Sequence, residues 1–296
     1  MKRFVTMMLV LLIFAMPLST QAAEGPTIVD NNEVPVYVAT TGPTALPNAA
    51  EGLDLLYAYA FFSSDGYLSI YGETTSNRPT ISAGLVAQIR IMDSDGNELG
   101  NNEINSVTEY VSPDRRVPFQ GSVQLAAFDA TQPGWSEGLT VQAAFCDFTY
   151  YGGDPETNQK VEATITNLSV RSPYVYYDAK VTNTSEVPLD GMGVAAAFYR
   201  ADGLYIGGSS TIEQVGSGAI EPGRFDVTST FSYPNGPLSE LAKTDVSASL
   251  LVFTASTRSD IGGGQCGPQE IPLPVTFVES AADIPTEPVE VASPAA

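Results

Sequence analysis

Leu85-Val86-Ala87-Gln88-Ile89-Arg90-Ile91-Met92-Asp93-Ser94-Asp95-Gly96 returns 107 positions later (192 less 85) as Met192-Gly193-Val194-Ala195-Ala196-Ala197-Phe198-Tyr199-Arg200-Ala201-Asp202-Gly203. Apolar residues recur at every second position: Leu85, Ala87, Ile89 and Ile91 in the first stretch, Met192, Val194, Ala196 and Phe198 in the second. A period of two puts these side chains on one face of a strand. Gln88 and Arg90 lie on the other face of the first copy. Each run ends in Asp-Gly, a pair that supplies the positive φ of a tight hairpin turn. The chain therefore reads as one unit written twice.

The register extends outward from these hairpins. Upstream, Gly66-Tyr67-Leu68-Ser69-Ile70-Tyr71-Gly72 falls on Pro173-Tyr174-Val175-Tyr176-Tyr177-Asp178-Ala179, and each runs into a polar, proline-containing turn. Downstream, Leu139, Val141, Ala143 and Phe145 match Val246, Ala248, Leu250 and Val252, with Thr140 and Gln142 answering Ser247 and Ser249. One dry face and one wet face mark half-buried antiparallel strands. The best helical candidate, Pro237 to Lys243, spans about two turns. The expected fold is all-β: two tandem immunoglobulin-like antiparallel β-sandwich domains, repeat 1 over residues 51–152 and repeat 2 over 153–258.

The second copy runs strand, Asn183-Thr184-Ser185 turn, Pro188, apolar strand, Tyr199-Arg200-Ala201-Asp202-Gly203 hairpin, then Glu221-Pro222-Gly223 before Phe225. This order resembles the FxLYD-type immunoglobulin-like repeats of bacterial cell-envelope proteins, over about half of each unit. Phe198-Tyr199-Arg200 stands where that family tends to have an aliphatic residue, Tyr and Asp; the first copy has Ile91-Met92-Asp93 there and Ser112-Pro113-Asp114 in place of Glu-Pro-Gly. The resemblance implies the fold and an envelope setting. It implies no ligand, and the family is not known as a catalytic one.

Lys2 and Arg3, the apolar run Phe4 to Met16, and the small residues up to Ala23 read as a secretory signal peptide over 1–22, cut after Ala22. The run has 13 residues, too short for a spanning helix, and no later segment could span a membrane. Residues 23–50 read as a leader with one strand-like piece at Val34 to Ala39, residues 259–280 as a Gly-rich loop and strand-like segment, and 281–296 as a disordered acidic Pro/Ala tail. The expected location is secreted, extracellular or periplasmic.

Composition narrows the chemistry. The 296 residues include no His, two Cys, and 34 acids against 13 bases, for a net charge of −21. Without His there is no Ser-His-Asp triad and no imidazole metal ligand. The acid excess would repel nucleic acid and anionic lipid surfaces. The loop Asp93-Ser94-Asp95-Gly96-Asn97-Glu98 fails as a calcium loop, because an EF-hand places Gly at position six and Glu at twelve, whereas counting from Asp93 puts Gly96 at four and Ile104 at twelve. The four lysines share no context and no phosphate-binding loop occurs, so no catalytic, cofactor or metal residue is named and no enzyme is expected.

Two features remain. Export favours pairing of the two thiols, and a Cys146–Cys266 disulfide would return the C-terminal segment to the first domain. Alternation puts Cys146 opposite Phe145, reachable from outside the first core. The wet face of the paired strand carries Tyr67 and Tyr71 in one copy and Tyr174 and Tyr176 in the other, a candidate surface for an unknown protein or a glycan. These tyrosines could instead pack between the two domains. Trp135 is read equally as a lid on the core or a binding residue. The expected function is a non-enzymatic binding or spacer protein; the alternative is a carbohydrate-active protein, either a glycan-binding module or a carboxylate hydrolase.

Overall fold

A computed structural model of the chain describes residues 27–28, 37–38, 41–62, 66–79, 82–107, 110–111, 113, 115–125, 134–150, 161–171, 174–189, 192–200, 202–208, 213–215, 219–232, 247–254 and 261–278. The expected signal peptide, the acidic tail and Pro237–Lys243 lie outside them. The strands in chain order are β1 (Thr27–Ile28), β2 (Thr44–Ala45), β3 (Leu53–Phe62), β4 (Tyr67–Ser76), β5 (Ser82–Ala83), β6 (Val86–Met92), β7 (Glu98–Ser106), β8 (Tyr110–Val111), β9 (Arg116–Gln124) and β10 (Thr140–Tyr150). They continue as β11 (Val161–Arg171), β12 (Tyr174–Asn183), β13 (Met192–Tyr199), β14 (Tyr205–Gly208), β15 (Glu213–Val215), β16 (Phe225–Ser232), β17 (Ser247–Thr254), β18 (Ile261–Cys266), β19 (Ile271–Leu273) and β20 (Thr276–Val278). Among the described residues the only helical turn is a 3₁₀ turn at Asn48–Ala50. No helix there is long and apolar enough to cross a membrane.

Apart from the short β5-β8 ladder, the first unit is one curled sheet in the order β18-β10-β6-β7-β9-β4-β3-β2. It is continuous between β7 and β9 only through Asn105↔Gln120 and Ser106↔Phe119, so it bends there into two halves. The alternation seen in sequence aims Leu68, Ile70, Ala87, Ile89, Ile91, Phe119, Val141 and Phe145 into one buried core between the halves. Gly72 is fixed by that core: a Cβ there would lie 2.2 Å from the Phe119 ring. Trp135 packs half-buried on the core's edge, with its ring 5.8 Å from Phe62 and 6.2 Å from Phe277.

The far side of this sheet is closed by the segment Ile261–Val278. β18 and β19 run antiparallel along β10, and β20 then crosses to pair parallel with β3 (Thr276↔Tyr59 to Val278↔Phe61). The segment thus passes from one half of the curled sheet to the other. Residues expected as a Gly-rich loop after the second unit are thus strands of the first, and Cys146 and Cys266 are disulfide-bonded cross-strand partners. Cys146 is buried, contrary to the exposed position expected for it.

The second unit lies in sequence between β10 and β18. Its sheets are β11-β12-β16 and β1-β17-β13-β14, with β15 also on β13. Between them pack Ile165, Val175, Tyr177, Ala179 and Val181 from one side and Ala196, Phe198 and Ile206 from the other. The leader contributes to both units: β1 pairs with β17, and Leu46 and Ala50 enter the first core. Tyr37 and Val38, the described part of the strand-like piece, are buried but irregular.

A tyrosine-lined joint as the candidate functional site

The outward faces of β3 and β4 are not wet. Tyr57, Tyr59, Phe61 and Tyr71 form one buried cluster with Ala195, Ala197, Tyr199 and Tyr205 of the second unit. Tyr71 packs between Tyr59 and Phe61, with ring centroids 5.7 Å from each, and is 3% exposed. This corrects its expected place on a partner surface and realises the other reading, packing between the two units. Tyr67 and Tyr176 are exposed, at 37% and 38%. The backbone of Tyr174 opens β12 and pairs with Arg171; its side chain lies outside the described residues.

A charge sits inside this aromatic layer. Glu73, on the same face of β4 as Tyr71, is fully buried. Arg116 of the neighbouring β9 donates to it twice, Nε to Oε1 at 2.8 Å and Nη2 to Oε2 at 2.6 Å. From the second unit, the Tyr199 hydroxyl donates to Oε1 at 2.9 Å, and the Arg116 guanidinium lies 4.8 Å from the centre of that tyrosine ring. Arg116 Nη2 also reaches the Gly203 carbonyl at 3.3 Å. A buried carboxylate is tolerable only with its lone pairs filled in this way, by a bidentate guanidinium and a further donor.

The hydroxyls act on backbone as well. Tyr59 donates to the Tyr205 carbonyl at 2.6 Å, and the Tyr57 hydroxyl accepts the Tyr205 N–H at 2.7 Å. Two tyrosines of β3 therefore hold both polar groups of one residue on β14, a strand in the other unit's sheet. The Tyr205 hydroxyl in turn donates to Gln120 Oε1 at 2.8 Å.

Burial, then the neighbouring Glu73 carboxylate, hold Tyr57 and Tyr199 well above the ordinary tyrosine range. Burial and the adjacent Tyr71 do the same for Tyr59 and Tyr205. Burial opposes the charge on Arg116, but the Glu73 contact outweighs it and raises its pKa. The joint is thus an ion pair inside neutral phenols, suited to holding two surfaces in register. Sequence reasoning missed Glu73 and Arg116, because 34 scattered acids give no spacing that selects one. The usable signal was on the opposite strand: Ala195, Ala197 and Tyr199 leave β13 apolar on both faces, so something had to cover the second.

The hairpins behave as turns. Gly96 and Gly203 have φ of 81° and 87°, as Asp-Gly predicts. Asp93 accepts the N–H groups of Asp95 at 2.9 Å and Asn97 at 2.7 Å, and the Asn97 side-chain amide at 2.9 Å. The Asn97 contacts hold its carboxyl below the usual range. Among the described residues no three Cys, Asp or Glu side chains are grouped to hold a metal ion.

These features define an all-β protein of curled antiparallel sheets with one disulfide. No protein-family model and no curated protein matches the chain. Solved structures with local similarity include red sea bream transglutaminase (14% identity, 68% of this chain and 31% of that one, TM-score 0.21). Others are the exo-chitosanase CsxA of Amycolatopsis orientalis (16%, 74% and 27%, TM-score 0.22) and β-glucuronidase 2 of Bacteroides uniformis (13%, 68% and 29%, TM-score 0.18). The chain spans less than a third of the length of each, and at these scores none carries an argument about fold or activity.

Proposed function

We propose that this is an exported, non-enzymatic binding or spacer protein, its two units being immunoglobulin-like sandwiches of one repeat held in a fixed mutual arrangement. One observation carries the reading: Glu73, the only charged residue that is buried among those whose burial is described, is held by Arg116 of its own unit and by Tyr199 of the other. A carboxylate bound by Arg116 and Tyr199 is not free to act as a general acid or nucleophile. Small-angle scattering tests the reading. The wild type should show a single compact shape that Glu73→Ala enlarges; a wild type whose units reorient freely in solution would remove the spacer role.

The runner-up, glycan binding, draws on the far face of the second unit. There Tyr176 and Phe225 are exposed, at 38% and 56%, and Lys180 Nζ sits 4.1 Å from the centre of the Phe225 ring. Aromatic area beside a polar head suits a sugar ring. A glycan array probed with wild type and Tyr176→Ala decides it: signals that the substitution abolishes favour binding, and blank arrays for both reject it.

A further inference from the structure

The segment that closes the first unit is weakly built. β18 reads Ile261-Gly262-Gly263-Gly264-Gln265-Cys266, and Pro268, Pro272 and Pro274 follow. Glycines add no side chain to pack and are costly to order, and each proline removes a ladder donor. From Gln265 to Val278 only Leu273 and Val278 are fully buried, while Ile271, Val275 and Phe277 pack half-buried against the rim of the first core. β19 contributes three register pairs with β10, Val141↔Leu273 to Ala143↔Ile271, and β20 three with β3. Elements with few buried contacts and short ladders are the first to open locally. This one nevertheless covers edges of both β10 and β3, and β18 with the end of β10 forms the two-stranded neck through which the chain leaves for the second unit and returns (Tyr150↔Ile261). The disulfide staples that neck at Cys146↔Cys266.

We propose that Ile261–Val278 is a redox-controlled latch: the Cys146–Cys266 disulfide holds a strap that its own packing holds poorly, and a dithiol reductant releases it. Cys266 is the more exposed residue of the pair and Cys146 the buried one. A thiolate of the dithiol attacks Cys266 Sγ, and Cys146 leaves as thiolate and takes up a proton. The second thiolate of the reductant then attacks its own mixed-disulfide sulfur, releasing Cys266 as thiolate, which is protonated in turn. The protein gains two electrons and two protons, and the dithiol becomes a cyclic disulfide. Opening uncovers the edges of β10 and β3 and loosens the neck, while the joint still holds the second unit. The inference rests on the topology and not on the proposed function.

Hydrogen exchange on folded wild-type protein, oxidised and after dithiothreitol, tests the latch, with alkylation mass confirming two free thiols. Cross-linking across 120 residues bounds the effect on opening at about four thousandfold in the chain-entropy view. Amides in the peptide 271–278 should exchange at least about tenfold faster when reduced, with β11 and β12 changed less than about twofold. Unchanged protection of 271–278 would overturn the latch, because the strap would then hold unaided. Loss of protection throughout both units would overturn it equally, because the disulfide would then support the whole fold. Reduction starts from folded protein, so neither outcome depends on a cysteine-free variant folding.

Discussion

β6 and β13 occupy the same place in the repeat, and their inward faces are alike: Ala87, Ile89 and Ile91 in one and Ala196 and Phe198 in the other are all fully buried. Their outward faces differ. Gln88 and Arg90 stand in solvent, whereas their counterparts Ala195 and Ala197 are sealed in the joint. On the other sheet the asymmetry reverses. Ser69, Tyr71 and Glu73 of β4 are buried, and at the equivalent positions of β12 Tyr176 is exposed while Asp178 and Lys180 are half-buried. Each unit therefore uses the face that the other leaves open. That is a head-to-tail contact, which would propagate if the end faces were also joint-like. Both carry charge instead, Arg90 at one end and Asp178 and Lys180, beside exposed Tyr176 and Phe225, at the other.

The contrast can be broken most severely by making the buried outward face resemble the wet one. Ala197→Arg should cost about 5 kcal/mol or more, since it overpacks the joint and buries an unpaired charge. The matched Arg90→Ala should stay within about 0.5 kcal/mol, losing only exposed contacts to Glu98 and Glu270. Urea denaturation of both variants checks this; equal effects would mean β13 has no covered outer face.

Glu73→Ala leaves the largely enclosed Arg116 guanidinium without its counter-charge and should cost about 3–5 kcal/mol, whereas Lys180→Ala at the equivalent place should cost under about 1 kcal/mol. Replacing Glu73 and Arg116 together by apolar residues should recover much of the loss, a double-mutant result that a mere packing defect would not give.

Alkali probes the joint without mutation. Tyr57, Tyr59, Tyr199 and Tyr205 have raised pKa values in the fold, so the unfolded chain loses their protons first. Their stabilisation is complete below pH about 10 and falls as pH rises beyond it, by up to about 1.4 kcal/mol per pH unit for each tyrosine. Stability followed against pH by near-ultraviolet spectroscopy should turn downward there, and a curve flat to pH 12 would contradict buried neutral phenols.

Smaller effects distinguish the hairpins. Gly96→Val and Gly203→Val force a branched side chain into positive φ, and each should cost about 1–3 kcal/mol. Gly203 should be the worse, because its carbonyl also meets Arg116 and the joint would shift with it. Smallest is Asp93→Ala. Sequence alone expects no effect on the fold, but the carboxylate caps the turn, so a slight drop in melting temperature is expected. It should be the same with and without calcium. The cap also weakens as acid protonates Asp93, because its carboxyl titrates lower in the fold than in the unfolded chain.

Period-two alternation and two Asp-Gly pairs were enough to place the hairpins and inward faces, because those depend on local geometry and on which side chains avoid water. The disulfide was legible too, from there being only two cysteines in a chain expected to be exported. The partner of each outward face was not. Tyr67 and Tyr71 are the same residue type on the same face of one strand, yet one is exposed and the other buried, because only Tyr71 lies beneath the second unit.

What the sequence determined by itself is the all-β class and the turns at Asp95-Gly96 and Asp202-Gly203, both governed by interactions within a few residues or one strand pair. What only the tertiary structure decided is that Ile261–Val278 belongs to the first unit, and that Glu73 is a joint residue and not a solvated acid. Both depend on contacts between residues far apart in the chain, Val278 beside Phe61 and Tyr199 beside Glu73. Such contacts follow from how whole faces fit together, and no local pattern in the sequence records that fit.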